Sequence, residues 1–289
     1  MNPWILAARA RTLGAAVIPV LAGCALAFSA GGFDPLASAL ALICAVLIQI
    51  ATNYFNDAID HAKGADTAER LGPVRATSAG LLSARALMAG GTACLILAAL
   101  LAIPLVVHGG WPILILGIVS LVLAYAYTGG PFPLAYLGLG EIFVVLFFGV
   151  FAVAGTFFLN ALEWSPAAAL AGLQIGLHSS VLLAVNNLRD LETDRTANKR
   201  TLAARFGLTF ARRENAALVI APCVLGMLWL PLGYFWAFVL PLITLPLVWW
   251  LARACLTATP DRSVNQLLAQ AAALHASFGL LLALGFLLP

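Results

Sequence analysis

Residues 36–60 read L-A-S-A-L-A-L-I-C-A-V-L-I-Q-I-A-T-N-Y-F-N-D-A-I-D. Up to Phe55 the run is mostly apolar, and then it turns acidic at Asp57 and Asp60. About 20 consecutive apolar residues are what a helix needs to cross a bilayer. The stretch therefore predicts a spanning helix that carries carboxylates to one membrane face.

The whole chain agrees with that reading. Of its 289 residues 63% are hydrophobic and only 9% are charged, against roughly 25% charged in soluble domains. Fifteen basic and 12 acidic residues cannot supply a soluble surface of this size. The mean hydropathy of +1.01 says the same. Composition excludes a soluble globular enzyme, a disordered chain and a nucleic-acid-binding module. A net charge of +3 is too small to imply a polyanion partner. What remains is one polytopic domain over residues 1–289, all-α, with the lipid bilayer as its solvent. Cys24, Cys44, Cys94, Cys223 and Cys255 lie in apolar runs without metal spacing. They read as small buried hydrophobes.

Nine spans are predicted, at 13–30, 36–56, 86–107, 111–128, 138–159, 167–188, 215–231, 235–252 and 267–288. The first resembles a signal peptide ending at Ala25-Leu26-Ala27, but eight further spans favour an uncleaved helix. Nine spans place every basic residue on one side. Arg9 and Arg11 precede the first span, and Lys63, Arg70, Arg75 and Arg85 follow the second. Arg189, Arg195, Lys199, Arg200, Arg205, Arg212 and Arg213 follow the sixth, and Arg253 and Arg262 follow the eighth. The positive-inside rule makes that side the cytoplasm. The N-terminus is then inside and the C-terminus outside a bacterial-type inner membrane. Only Asp34 and Glu163 fall on the outer face. Two long inner loops, 57–85 and 189–214, hold most of the charge.

Each long loop opens on an acidic stripe. Gln49, Asn53, Asn56/Asp57 and Asp60 recur every three or four residues, so they share one helical face, and Asp66 follows. Asn187, Asp190 and Asp194 do the same at the end of the sixth span. Like charges at this spacing repel, and divalent cations offset such repulsion. Mg²⁺ favours a few carboxylates together with water and phosphate oxygens. Facing stripes would hold Mg²⁺ on a diphosphate, with Lys63, Arg75, Arg189, Lys199 and Arg200 on the remaining oxygens. Solvated helix ends with local ion pairs are the plainer reading of either cluster alone. Two clusters, each on an even-numbered span with Asn one turn upstream, favour the joint site. The same spacing suggests a repeat of four spans plus four, with the ninth added.

These motifs resemble those of the UbiA superfamily of intramembrane aromatic prenyltransferases. N-D-A-I-D-H-A-K-G-A-D from Asn56 to Asp66 is similar to the family's first Asp-rich pattern, and N-N-L-R-D-L-E-T-D-R from Asn186 to Arg195 to its second. R-A-R-T-L near Arg9, G-P-V-R-A-T from Gly72, Y-T-G-G-P-F-P-L-A-Y-L-G-L-G-E from Tyr127 and K-R-T-L-A-A-R-F-G from Lys199 resemble the 1,4-dihydroxy-2-naphthoate branch. The resemblance implies nine helices around a central cavity, with the Asp motifs cytosolic. It also implies Mg²⁺-dependent transfer of a polyprenyl chain from its diphosphate to an aromatic quinone precursor, giving demethylmenaquinone.

On that reading Asp57, Asp60, Asp190 and Asp194 hold Mg²⁺ and Asp66 supports them. Asn53, Asn56, Lys63, Arg75, Tyr127, Asn187, Arg189, Lys199 and Arg200 bind substrate. Tyr125, Tyr127, Tyr136, Phe143 and Phe147 are candidates to face an allylic cation, though packing is the better reading of any one of them. Glu141, ionisable at a membrane boundary, is a functional candidate. His178 and His275 read as core residues. A 4-hydroxybenzoate or homogentisate acceptor stays open as an alternative, and so does a membrane transporter. Transporter sites usually lie near the midplane, whereas these carboxylates sit at helix ends.

Overall fold

The computed structural model describes residues 2–64 and 71–289, except for the side chain of Arg11. Every regular element among them is helical. A short α1 (Pro3–Ala8) leads into α2 (Ala10–Ser29), and Arg9 between them adopts a left-handed φ of 53°. Then come α3 (Pro35–Ala62), α4 (Ala84–Ala126), α5 (Leu134–Leu137) and α6 (Gly140–Val145). A π-helical turn, Leu146–Val150, joins α6 to α7 (Phe151–Ala161). The second half holds α8 (Pro166–Arg189), α9 (Leu191–Thr196), α10 (Leu202–Leu225), α11 (Phe235–Val239), α12 (Leu245–Thr257) and α13 (Val264–Leu287).

Local sequence explains the starts. The Asp34 side chain caps α3 by accepting from the amides of Leu36 and Ala37, and Pro35 occupies the first turn. Ser83, Ser165 and Thr201 cap α4, α8 and α10 in the same way. Such side chains satisfy amides that have no partner within the helix, and Pro suits the first turn because its missing N–H is not needed there.

Seven helical segments among the described residues are long and apolar enough to cross a membrane. The chain is a multi-pass membrane protein. Two expected spans, 86–107 and 111–128, merge into α4, whose backbone breaks at Gly110 with φ 67° and ψ −152°. Only glycine adopts that conformation readily. The expected span at 215–231 lies within α10 and a 3₁₀ turn at Gly226–Trp229. Arg205, Arg212, Arg213 and Glu214 crowd the first half of α10 and keep it outside the apolar set. The expected span at 235–252 is built from α11, a 3₁₀ segment at Leu240–Thr244 and α12, with Pro241 and Pro246 at the joints.

Helix α8 is the axis of the bundle. Its inner half packs Val181, Leu182, Val185 and Leu188 into a cluster with α10, α12 and α13. Its outer half packs Ala167, Ala168, Ala171 and Ile175 into a second cluster with α2, α7 and α13. A Cβ on Gly172 would lie 2.6 Å from the Cα of Val150. Gly149 and Gly176 are equally tight, against Gly172 and Val145 respectively. Small residues let membrane helices approach backbone to backbone. This contact fixes the π turn, and with it the residues that α6 and α7 present on their other side.

Candidate active site

Helix α3 organises the site. Cys44, Ile48 and Thr52 line an apolar cavity of about 210 Å³ enclosed by α2, α3, α4, α6 and α7. Thr52 is the last of these toward the C-terminus of α3, and Asn56 and Asp60 follow it by one and two turns. The helix thus passes from hydrocarbon-like to acidic within two turns. Asn56 donates to Asp60 Oδ2 at 3.0 Å and to the Thr128 hydroxyl at 3.1 Å. It accepts from Arg9 Nη2 at 2.6 Å. Asp60 accepts from the Tyr136 hydroxyl at 2.9 Å, and Arg75 Nη2 stands 3.8 Å from its other oxygen.

Asp57 turns to a different neighbour. It is buried and accepts from the amides of Ala76 (3.0 Å) and Thr77 (3.3 Å), with a further short bond from the Thr77 hydroxyl. This pins the 75–77 segment to α3 and so places Arg75 against Asp60. Gln49 and Asn53, predicted on the same stripe, serve the N-terminus. Asn53 Nδ2 donates to the Ala8 carbonyl at 2.8 Å and to Thr12 Oγ1 at 2.9 Å, and Gln49 donates to Thr12 at 3.3 Å. The helix break at Arg9 leaves carbonyls that need such donors. Asp66 lies outside the described residues.

The second motif sits where α8 ends and α9 begins. Arg189 is buried and grips Asp190 with two bonds, Nε to Oδ1 at 2.7 Å and Nη2 to Oδ2 at 2.6 Å. Its third nitrogen reaches Asn265 on α13 at 2.8 Å. Asp194 is also buried; Lys199 Nζ lies 3.7 Å from Oδ1 and the Thr201 hydroxyl 3.4 Å from Oδ2. Burial pushes the Asp194 carboxyl up to about 6, and Asp190 and Asp60 add to the rise while Lys199 opposes it. The influence of Asp60 on Asp194 places carboxylates of both motifs in one field. Asn187 donates to Glu141 Oε1 at 2.7 Å.

The connection after α4 closes the site. Lys63 Nζ donates to the Thr128 carbonyl at 2.9 Å and lies over the Tyr136 ring, 4.1 Å from its centre. Lys199 Nζ lies over the same ring at 5.5 Å. Burial, Asp60 and Asp194 hold the Tyr136 phenol above its ordinary range, so it stays a donor. Arg200 is exposed, and its amide donates to the Tyr136 carbonyl at 3.0 Å.

Of the predicted aromatic set, Tyr127, Phe143 and Phe147 line the cavity. Phe143 stacks on Phe147 with centres 6.0 Å apart, and Phe147 meets Phe151 edge-on at 5.1 Å. Tyr125 lies off the cavity, against Phe55 at 5.7 Å. His178 sits in the core against Phe278. Arg9 was not among the predicted site residues. The R-A-R-T-L motif was its only signal, because the left-handed turn that aims it at Asn56 has no sequence pattern of its own.

A cation is compatible with this arrangement. No three acidic, His or Cys side chains among the described residues form a ready-made cage. Mg²⁺ does not need one, since substrate phosphates and waters complete its shell. Two buried carboxylates, Asp60 and Asp194, suit such an ion, and lysines and arginines stand beside them for an anion's remaining charge.

Comparison with known proteins is consistent with this chemistry. Residues 16–287 match the UbiA prenyltransferase family. The 1,4-dihydroxy-2-naphthoate octaprenyltransferase of Escherichia coli is 37% identical over 76% of this chain and 74% of its own length. The enzyme of the same name from Haemophilus influenzae is 33% identical over 100% of this chain and 96% of its own. Among solved structures, a UbiA homolog from Aeropyrum pernix superposes with a TM-score of 0.70 at 16% identity, covering 93% of this chain and 96% of that one. A UbiA homolog from Archaeoglobus fulgidus bound to GPP and Mg²⁺ gives 0.64 at 16% identity, covering 99% of both. At these identities the structures speak to the fold.

Proposed function

This chain belongs to the UbiA prenyltransferase family, and on that premise we propose that it moves a polyprenyl group from its diphosphate to an aromatic quinone precursor, 1,4-dihydroxy-2-naphthoate. The observation that carries the reading is that the apolar cavity, lined by Thr52 and Tyr127, adjoins the polar cluster of Asn56, Thr128 and Asp60 one to two turns further along α3. It matches a substrate with a hydrocarbon tail and a diphosphate head.

Asp60 and Asp194, with Asp57 and Asp190 beside them, would hold Mg²⁺. When bound, the ion neutralises the leaving diphosphate and templates it. Lys63, Lys199 and Arg75 take diphosphate oxygens, with exposed Arg200 at the rim. The cavity wall of Phe143, Phe147 and Phe151 excludes water and offers ring faces to the allylic carbon as its bond to oxygen breaks. The electron-rich naphthol carbon then forms the new C–C bond. The acceptor's carboxylate leaves as CO₂, and diphosphate departs with the electrons of the broken C–O bond. The product is a prenylated naphthalenediol, the two-electron-reduced form of demethylmenaquinone.

The finer topology is part of the proposal. Counting the Gly110 break as two spans and α10 as one gives nine, with N-terminus and both motifs in the cytoplasm and the C-terminus outside. The uniform side of all 15 basic residues supports this orientation.

The test uses purified protein, Mg²⁺ and a polyprenyl diphosphate with a panel of aromatic acceptors, read by mass spectrometry. The expected product is the prenylated naphthalenediol without its carboxyl group, formed only with metal and lost on chelation. No product with any acceptor overturns the enzyme reading. Product from 4-hydroxybenzoate alone reassigns the acceptor.

A further inference from the structure

Two lysines that bind an anion must be held near each other despite their mutual repulsion. A carboxylate between them would do so, but it would also neutralise the charge the anion needs. Lys63 and Lys199 come from different loops, and both ammonium groups lie over the ring of Tyr136, at 4.1 and 5.5 Å. An aromatic face attracts cations through its quadrupole and carries no net charge.

Tyr136 is itself firmly placed. It lies in α5, its carbonyl accepts from the Arg200 amide at 3.0 Å, and its hydroxyl donates to Asp60 at 2.9 Å. Two residues on, Gly138 has φ 72°, and a Cβ there would lie 2.7 Å from the Arg200 carbonyl. Only glycine allows the 134–138 turn to press so closely on the Lys199–Arg200 segment. One side chain therefore touches a residue of the first motif through its hydroxyl and cations from both loops through its ring.

We infer that Tyr136 is a positioning residue that clamps Lys63 and Lys199 into a single diphosphate-binding pair, its ring adding attraction without adding negative charge to that of Asp194, which stands 3.7 Å from Lys199. The inference rests on the reading that this site takes a diphosphate. It assigns separate tasks to two parts of the side chain: the ring sets anion affinity, and the hydroxyl orients Asp60.

The test measures binding of inorganic diphosphate at saturating Mg²⁺ to the full chain in detergent by calorimetry, alongside KM and kcat for prenyl transfer. Tyr136→Leu is expected to weaken diphosphate binding about tenfold. The same factor should appear in KM for the prenyl diphosphate, while kcat should change no more than it does in Tyr136→Phe, which also lacks the hydroxyl. Tyr136→Phe and Tyr136→Trp, which keep the ring, should bind within about threefold of the unaltered protein. In a Lys63→Gln background the Tyr136→Leu effect should shrink, because one of the two clamped cations is gone. Equal losses in the Phe and Leu variants, a loss confined to kcat, or full additivity with Lys63→Gln would each overturn the clamp. If Tyr136→Leu does not fold, the Phe and Trp variants decide, since weak binding by both removes the ring's role. Unaltered protein that fails to bind diphosphate also overturns it. Protein that binds diphosphate but transfers no prenyl group instead defeats the proposed function and leaves the clamp standing.

Discussion

Asp57 and Asp194 look alike in sequence, each a carboxylate just past an apolar span, yet their surroundings separate them. Both oxygens of Asp57 are engaged by the 76–77 segment. Asp57→Ala would leave buried amides without partners, at about 1–3 kcal/mol. It is expected to lower the unfolding midpoint in detergent as well as activity. An unfolding midpoint equal to that of the unaltered protein would show that the segment is held by something else. Asp194 has looser partners, Lys199 at 3.7 Å and Thr201 at 3.4 Å. Asp194→Asn should leave the unfolding midpoint nearly unchanged and raise the Mg²⁺ concentration for half-maximal transfer by at least roughly 10–100-fold, the loss already caused when only a residue supporting a metal ligand is changed. An unchanged metal requirement would remove Asp194 from the site. Sequence spacing could place each of these residues on an acidic stripe but could not tell them apart. Their partners lie elsewhere in the chain, as Tyr136 does from Asp60.

At the scale of elements, the close contact of α8 with the π turn is the joint that shapes the cavity. The turn lets α6 and α7 present Phe143, Phe147 and Phe151 together to the apolar space. Gly172→Val would drive a branched side chain toward the backbone of Val150. Overpacking of this kind costs about 1–3 kcal/mol, so thermal unfolding should shift down and the aromatic wall should move. A variant with the midpoint of the unaltered protein would mean that α8 can retreat without cost. The apolar run at 138–159 was legible as a span, but the π turn within it was not. Nothing in L-F-F-G-V differs from an ordinary helical sequence, and what sets the segment apart is its close contact with Gly172 and Gly176 of α8. Gly110 was likewise legible only as a gap between two spans, since its neighbours continue the helix on either side.

For the whole molecule, charge placement predicts orientation. In a cysteine-free background, Asp261→Cys on the predicted inner face should react with an impermeant thiol reagent only from the cytoplasmic side. Glu163→Cys should react only from outside. Both positions are exposed and remote from the cavity. Labelling of both from one side would break the nine-span arrangement, because an odd number of crossings must separate residues 163 and 261.

The sequence by itself determined the solvent and the helical class, and it predicts the membrane face at which the proposed chemistry sits. Hydropathy and charge are sums over local residues, and the bilayer enforces them segment by segment. The paired acidic motifs were also legible, because helical period depends only on neighbours in the chain. Tertiary structure decided which polar groups meet. It assigned Asn53 to the carbonyl at the Arg9 break, Arg189 to Asp190 and Asn265, and Arg9 to Asn56. It also set the Tyr136 ring beneath lysines from two loops. Such contacts join segments far apart in the chain. They depend on how glycine-lined helices seat against one another, which no local pattern encodes.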